Sequence, residues 1–207
     1  MSISLVAGLG NPGRDYERTR HNLGWIILDA LARQHGLAWK REPRFDVELA
    51  RWEFEGRVVL LVKPQGFMND SGRPLQHLAG FFKIPASAIA IVYDDLTLPV
   101  GRCKVSVRGS AGGHNGVASV LAHLDDAFTR YRLGIGPKQP PEMDLKDYVL
   151  GTFSPEQASL LEHNLASLVA GLTLLIREGP DRAMNQLNRR AHHEPDQTQL
   201  PRDLHPR

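Results

Sequence analysis

The chain has 207 residues, 42% of them hydrophobic and 23% charged, with a formal net charge of +2. That is enough apolar material for one good core, and no proline- and serine-rich linker divides it, so a single domain is expected. Met1 is not followed by the basic and then apolar stretch of a secretory leader, no uninterrupted apolar run approaches the roughly 20 residues of a bilayer span, and a single cysteine, Cys103, cannot form an internal disulfide. These features exclude a disulfide scaffold and point to a cytoplasmic protein away from the membrane.

Residues 2–8 read as a short apolar strand, followed by a turn-rich loop, Gly8-Leu-Gly-Asn-Pro-Gly13. From Asn22 to Gln34 the density of Trp25, Ile26, Leu28, Leu31 and Ala32 predicts a buried helix that Gly36 closes. Residues 45–52 and 57–64 form a strand pair turned at Glu55-Gly56, and a second helix begins near Ser71. Residues 88–93 make a buried strand ending on Asp94-Asp95. From Arg102 to Arg108 the alternation places Cys103, Val105 and Val107 on a core face and Arg102, Lys104, Ser106 and Arg108 on a basic ribbon. A short helix bearing Val117 and Leu121 follows, then a strand over 131–135 and a proline-rich loop. Ser154-Pro155-Glu156-Gln157 has the pattern of a capping box opening a long helix to Gly179. A last helix carries Met184 and Leu187. Residues 1–190 are the expected folded domain and 191–207 a polar tail expected to be disordered. The order of elements predicts an α/β fold, a mixed twisted sheet flanked by helices in three layers.

Three segments pair asparagine with histidine or methionine at strand-to-helix junctions: His21-Asn22, Met68-Asn69 and the glycine-rich Gly109-Ser-Ala-Gly-Gly-His-Asn-Gly116. Such junctions converge at one rim of an α/β sheet. Asn11, Asn69 and Asn115 serve there either as turn formers or as neutral amides that orient an uncharged ester or peptide. His21 serves either as a helix-start residue or as a general base, with Asp94 or Asp95 at the strand end fixing its tautomer. Met68 and Phe67 read as core or as an apolar wall.

Rival chemistries find less support. Gly8-x-Gly10-x-x-Gly13 formally matches a dinucleotide fingerprint, but residues 14–20 are polar without an apolar stripe and Pro12 removes an amide. There is no Gly-x-Ser-x-Gly elbow, Cys103 lies mid-strand, and no metal-ligand spacing appears, so neither metal nor cofactor is expected. Direct attack by an activated water remains, which suits an ester better than an amide. A catalytically silent RNA-binding protein, a nucleotide-dependent oxidoreductase and a peptide amidase, which would leave the basic ribbon without a ligand, are the alternatives.

Five motifs stand in one order: residues 8–13, Thr19-Arg-His-Asn-Leu-Gly24, Lys63-Pro-Gln-Gly-Phe-Met-Asn-Asp-Ser-Gly72, Asp94-Asp-Leu-Thr-Leu-Pro-Val-Gly101 and residues 109–116. Together, over residues 3–188, the chain resembles the bacterial peptidyl-tRNA hydrolase family. The resemblance implies a monomeric esterase that frees peptide from the 3′ end of tRNA, recycling stalled translation products. It implies His21 as the base and Asp94 as its orienting partner, and Asn11, Met68, Asn69, His114 and Asn115 as contacts for peptide and terminal adenosine, with Tyr16 at the entrance. It gives Lys104, Arg108 and Arg132 the role of meeting tRNA phosphates. Two positions depart from the family pattern: Gly66 replaces the usual threonine, and Ser106 replaces a lysine or arginine.

Overall fold

The structure, a computed structural model, describes residues 2–193. Its strands are Leu5–Gly8 (β1), Lys40–Glu42 (β2), Val47–Phe54 (β3), Arg57–Pro64 (β4), Ile89–Pro99 (β5), Cys103–Val107 (β6) and Thr129–Gly136 (β7). Its helices are Leu23–Gln34 (α1), Gly72–Phe82 (α2), Asn115–His123 (α3), Leu145–Leu150 (α4), Pro155–Glu178 (α5) and Pro180–His193 (α6).

All seven strands join one sheet in the order β2-β3-β4-β1-β5-β7-β6. The central β4, β1, β5 and β7 are parallel, whereas β2, β3 and β6 are antiparallel to their neighbours. The parallel strands are apolar on both faces because both faces are covered. Val6, Leu61 and Val92 pack with Leu28 and Leu31 of α1 and Leu172 and Leu175 of α5. Leu5, Ala7, Val62 and Ile91 pack with Leu75 and Leu78 of α2 and Val117 and Val120 of α3. The result is the single three-layer α/β domain that the sequence pattern implies. Glu55 and Gly56 both take positive φ, 49° and 76°, the conformation of a two-residue hairpin turn between β3 and β4. The capping box at Ser154 and Gln157 forms as the sequence predicts.

The sequence pattern misplaces several features. β5 does not end before Asp94 but continues to Pro99, pairing with β7 through Asp94↔Leu133. Its pairing with β1 stops at Gly8↔Val92, so Asp94 still lies where the neighbouring strand gives out. Short, charged β2 and six-residue α4 carry too little periodicity to be read from sequence. On β6, Val105 is fully buried, but Val107 is 37% exposed because β6 is an edge strand and its end outruns its cover. α6 continues to His193, past the expected tail boundary at 190, and residues 194–207 lie outside the described residues. Within the 24 residues of α5 there is an 18-residue window with a mean hydropathy of 1.4, a stretch long and apolar enough to cross a bilayer despite its interrupting Glu162 and His163. Its apolar side, Leu161, Leu168, Val169, Leu172, Leu175 and Ile176, is instead buried in the core.

Candidate active site

The loop after β1 and the start of α1 meet at the carboxyl end of the sheet. A Cβ on Gly24 would stand 2.4 Å from the Val92 carbonyl oxygen and 2.6 Å from that of Leu9, so only glycine lets α1 begin this close to β5. The preceding turn, Arg20–Asn22, is thereby set over the sheet edge. Arg20 anchors it from behind: its guanidinium donates to the Tyr148 carbonyl (3.0 Å) and to Gln157 Oε1 (2.9 Å), and it lies 4.2 Å above the Tyr148 ring. Because Gln157 also closes the capping box of α5, one side chain ties that helix start to the turn bearing His21.

His21 and Asp94 come together as the family resemblance implies. His21 Nδ1 lies 3.0 and 3.1 Å from the two oxygens of Asp94, which is buried. His114 reaches the same carboxylate from the opposite side, with Nε2 2.9 Å from Asp94 Oδ1. The other nitrogen of His114 caps α3, accepting from the N–H groups of Gly116 (3.1 Å) and Val117 (3.2 Å). An atom that accepts two N–H bonds carries no proton, so His114 is the neutral tautomer with its proton on Nε2, directed at Asp94. Burial pushes the Asp94 carboxyl up, but the facing imidazoles of His114 and His21 more than offset this and hold it well below the usual carboxylate range. An anionic Asp94 in turn draws the His21 proton to Nδ1. This leaves the lone pair on His21 Nε2, an atom with no hydrogen-bond partner among the described residues.

His21, Asp94 and His114 also offer one ligand atom each within 4.8 Å of one another. The tautomer of His114 argues against a metal there, because the nitrogen facing the cluster bears its hydrogen and has no lone pair to give.

The asparagines are presented differently. Asn11 is buried, and Asn22 brackets its backbone, accepting from its N–H (2.8 Å) and donating to its carbonyl (2.9 Å). Asn11 Oδ1 accepts the Met68 N–H at 2.7 Å, which fixes the orientation of the amide and leaves its nitrogen as a donor for a ligand. Asn69 and Asn115 are exposed, and neither side chain bonds to protein among the described residues. Met68 is buried beneath them, with its sulfur 2.4 Å from where a Cβ of Gly116 would stand, so the two asparagine-bearing loops touch through a thioether and a glycine. Asn11, His21, Met68, Asn69, Asp94, His114 and Asn115 all line one cleft of about 820 Å³. Tyr16 does not line it but stands edge-on to Phe67, which does, at 6.3 Å between ring centroids.

Of the expected phosphate contacts, Arg108 and Arg132 line the cleft and Lys104 does not, although Lys104 is directly paired with Arg132 across β6 and β7. Arg132 is already engaged, with Nε donating to Asp95 Oδ2 at 2.6 Å and a second nitrogen to Thr97 at 3.2 Å. Asp95 is therefore the counter-ion of Arg132 and not the partner of His21. Arg108 pairs loosely with Asp126 at 3.5 Å and is largely exposed. Ser106 lines the cleft opposite Arg130. Sequence reasoning gave Arg130 no role in building the site, yet the side chain is buried and donates to the Gly109 and Ser110 carbonyls, holding the glycine-rich loop. Nor did it single out Asn22 as the clamp on Asn11 or Leu145 to Leu150 as a cleft wall. The only signal for Asn22 was its place beside His21.

An α/β sheet with a histidine–aspartate pair and three asparagines at its carboxyl edge suits a hydrolase, since such an imidazole can take a proton from an attacking water. The sequence profile of the family described as peptidyl-tRNA hydrolase matches residues 5–195, and the chain belongs to that family. The peptidyl-tRNA hydrolase of Carboxydothermus hydrogenoformans is 41% identical over 89% of this chain and 98% of its own length. That of Desulfitobacterium hafniense is 44% identical over 90% and 100%. The crystal structure of peptidyl-tRNA hydrolase from Acinetobacter baumannii superposes with a TM-score of 0.84 at 35% identity, over 90% of this chain and 94% of that one.

Proposed function

We propose that this chain hydrolyses the ester between a peptide and the 3′ end of tRNA, with His21 as the general base. The observation that carries this reading is the free Nε2 of His21, set by a buried anionic Asp94 on one side and opening into the cleft on the other. A water at Nε2 loses its proton to His21 as it attacks the ester carbonyl, and Asp94 stabilises the imidazolium that forms. The same proton then passes to the departing ribose 3′ oxygen, so the base ends neutral. The N–H groups of Asn11, Asn69 and Asn115 are the donors available to the carbonyl oxygen as charge builds on it. A ribose hydroxyl leaves readily enough that no covalent intermediate is needed.

Arg108, Arg132 and Lys104 supply phosphate contacts beside the cleft, adding affinity without reading sequence. Arg132 meets a phosphate with the face that Asp95 leaves free. The enzyme is taken to act as a monomer in the cytoplasm, where peptidyl-tRNA arises.

The test is release of the acyl group from N-acetyl-aminoacyl-tRNA, with unblocked aminoacyl-tRNA beside it. Hydrolysis of the blocked ester alone is expected. Binding of tRNA with no cleavage of either would make the chain an RNA-binding relative.

A further inference from the structure

Away from the cleft, three phenylalanines gather at the surface. Phe81 and Phe82, at the end of α2, are 52% and 36% exposed. Phe45, in the turn before β3, lies against them, with ring centroids 5.0 to 6.5 Å apart across the trio. The Arg44 guanidinium sits 4.5 Å from the Phe81 ring centroid. Aromatic groups clustered in water rather than scattered mark a surface that meets something apolar.

Three observations identify the occupant. First, the cluster is linked to the cleft rim through the segment that carries Phe45. Arg73 bonds Asp70, which directly follows Asn69, at 2.6 Å and lies 3.8 Å from Asp46, which directly follows Phe45. One arginine side chain therefore bridges the segment carrying cleft-lining Phe67, itself 59% exposed, and the segment carrying Phe45. Second, the sheet order gives the substrate a direction. The basic strands β6 and β7 lie on one side of β1 and β5, and β4 and β3 lie on the other. An ester held at His21 with its tRNA towards β6 and β7 sends its acyl part towards β4 and β3. Third, Arg41 and Arg73 are matched by Asp46 and Asp70, so the exposed cations left in the segments that carry the rings are Arg44, stacked on Phe81, and Lys83.

We propose that Phe67, Phe45, Phe81 and Phe82 form a track for the peptide portion of the substrate, binding apolar side chains several residues upstream of the ester. The proposal rests on the hydrolase reading above. An extended octapeptide spans roughly 28 Å. α2, with 11 residues, is about 16 Å long, so such a peptide can leave the cleft and pass over it. The track gives the enzyme a preference for long apolar peptides without any contact at the reacting atoms.

The test is the Phe81→Ser, Phe82→Ser double variant, in which both changes fall on exposed positions outside the catalytic group. Three tRNA substrates are compared: one carrying a single N-acetylated amino acid, one an N-acetylated octapeptide of leucine and alanine, and one an octapeptide of serine and glycine. A five- to tenfold rise in KM for the apolar octapeptide is expected, with kcat held and the other two substrates within twofold. No change, or an equal change for all three, would overturn the track. Weaker binding of uncharged tRNA to the variant would make the cluster an RNA surface and overturn it too. Wild-type protein inert towards all three substrates would remove the hydrolase reading and the track with it, whereas active wild type with an indifferent variant removes the track alone.

Discussion

His114 has no ring nitrogen free for substrate. One caps α3 and the other donates to Asp94, so its hydrogen bonds position the carboxylate, and contact with substrate is left to the carbon edge and face of its ring. The same hydrogen-bond logic is what makes His21 the proposed base. Asp94 holds both imidazoles, and its lowered pKa makes it a source of stability with a definite sign. The folded state prefers the ionised form, so that contribution is fully present above the ordinary carboxylate range and is lost as pH falls through the lower, folded value. Asp94→Asn should therefore cost about 1.5–3 kcal/mol at neutral pH, and the gap from wild type should narrow as pH drops below about 4. In the same variant the new amide N–H faces His21, favours the tautomer with its proton on Nε2, and should lower kcat by about 10²–10⁴. Urea unfolding at several pH values and turnover at neutral pH check the two halves. A stability gap independent of pH would show that Asp94 is not held ionised by its neighbours.

At the scale of elements, the site depends on backbones that approach closely. The start of α3 rests on the loop before α2 because Gly116 leaves room for the Met68 sulfur, for Leu9 and for the His114 ring. A methyl group there would force a shift in residues on either side of Asn69 and Asn115. Gly116→Ala should cost about 1–3 kcal/mol from overpacking and impair turnover with it. Gly80→Ala, in α2 where an added Cβ meets nothing within 4 Å, should gain about 0.5–1 kcal/mol from helix propensity alone. Thermal and urea melts of the pair check this; a Gly116→Ala protein as stable as wild type would mean the contact yields easily. At the sheet edge, Asn188 of α6 both accepts from and donates to the backbone of Val105, standing in for the strand that β6 lacks. α6 thus closes an edge that would otherwise be open to pairing with another chain.

At the scale of the molecule, the parts legible in sequence were those with a strong local code. β1, β4 and β5 announced themselves by apolar runs, β6 by its alternation, α1 and α2 by helical spacing, α5 by its cap, and the hairpin by Glu55-Gly56. The site was legible where motifs carried it: His21, Asn11, Asn69 and Asn115 were singled out from their loops, and the five motifs together named Asp94. What stayed hidden was set by contacts between distant residues. Nothing near Arg20 signals Tyr148 or Gln157, and nothing near Arg130 signals the carbonyls of Gly109 and Ser110. Residues alone could not choose Asp94 over Asp95, because the choice turns on which acid Arg132 captures. Three-layer packing then converges these pieces on the one rim where β1 stops and β5 continues, and the base in that rim is the most exacting point to test. We would measure single-turnover hydrolysis of N-acetyl-aminoacyl-tRNA by wild type and His21→Ala, together with the affinity of each for uncharged tRNA. A rate reduced by about 10²–10⁴ with affinity within twofold is expected of a lost general base. A rate retained within tenfold would place the base elsewhere and contradict the mechanism.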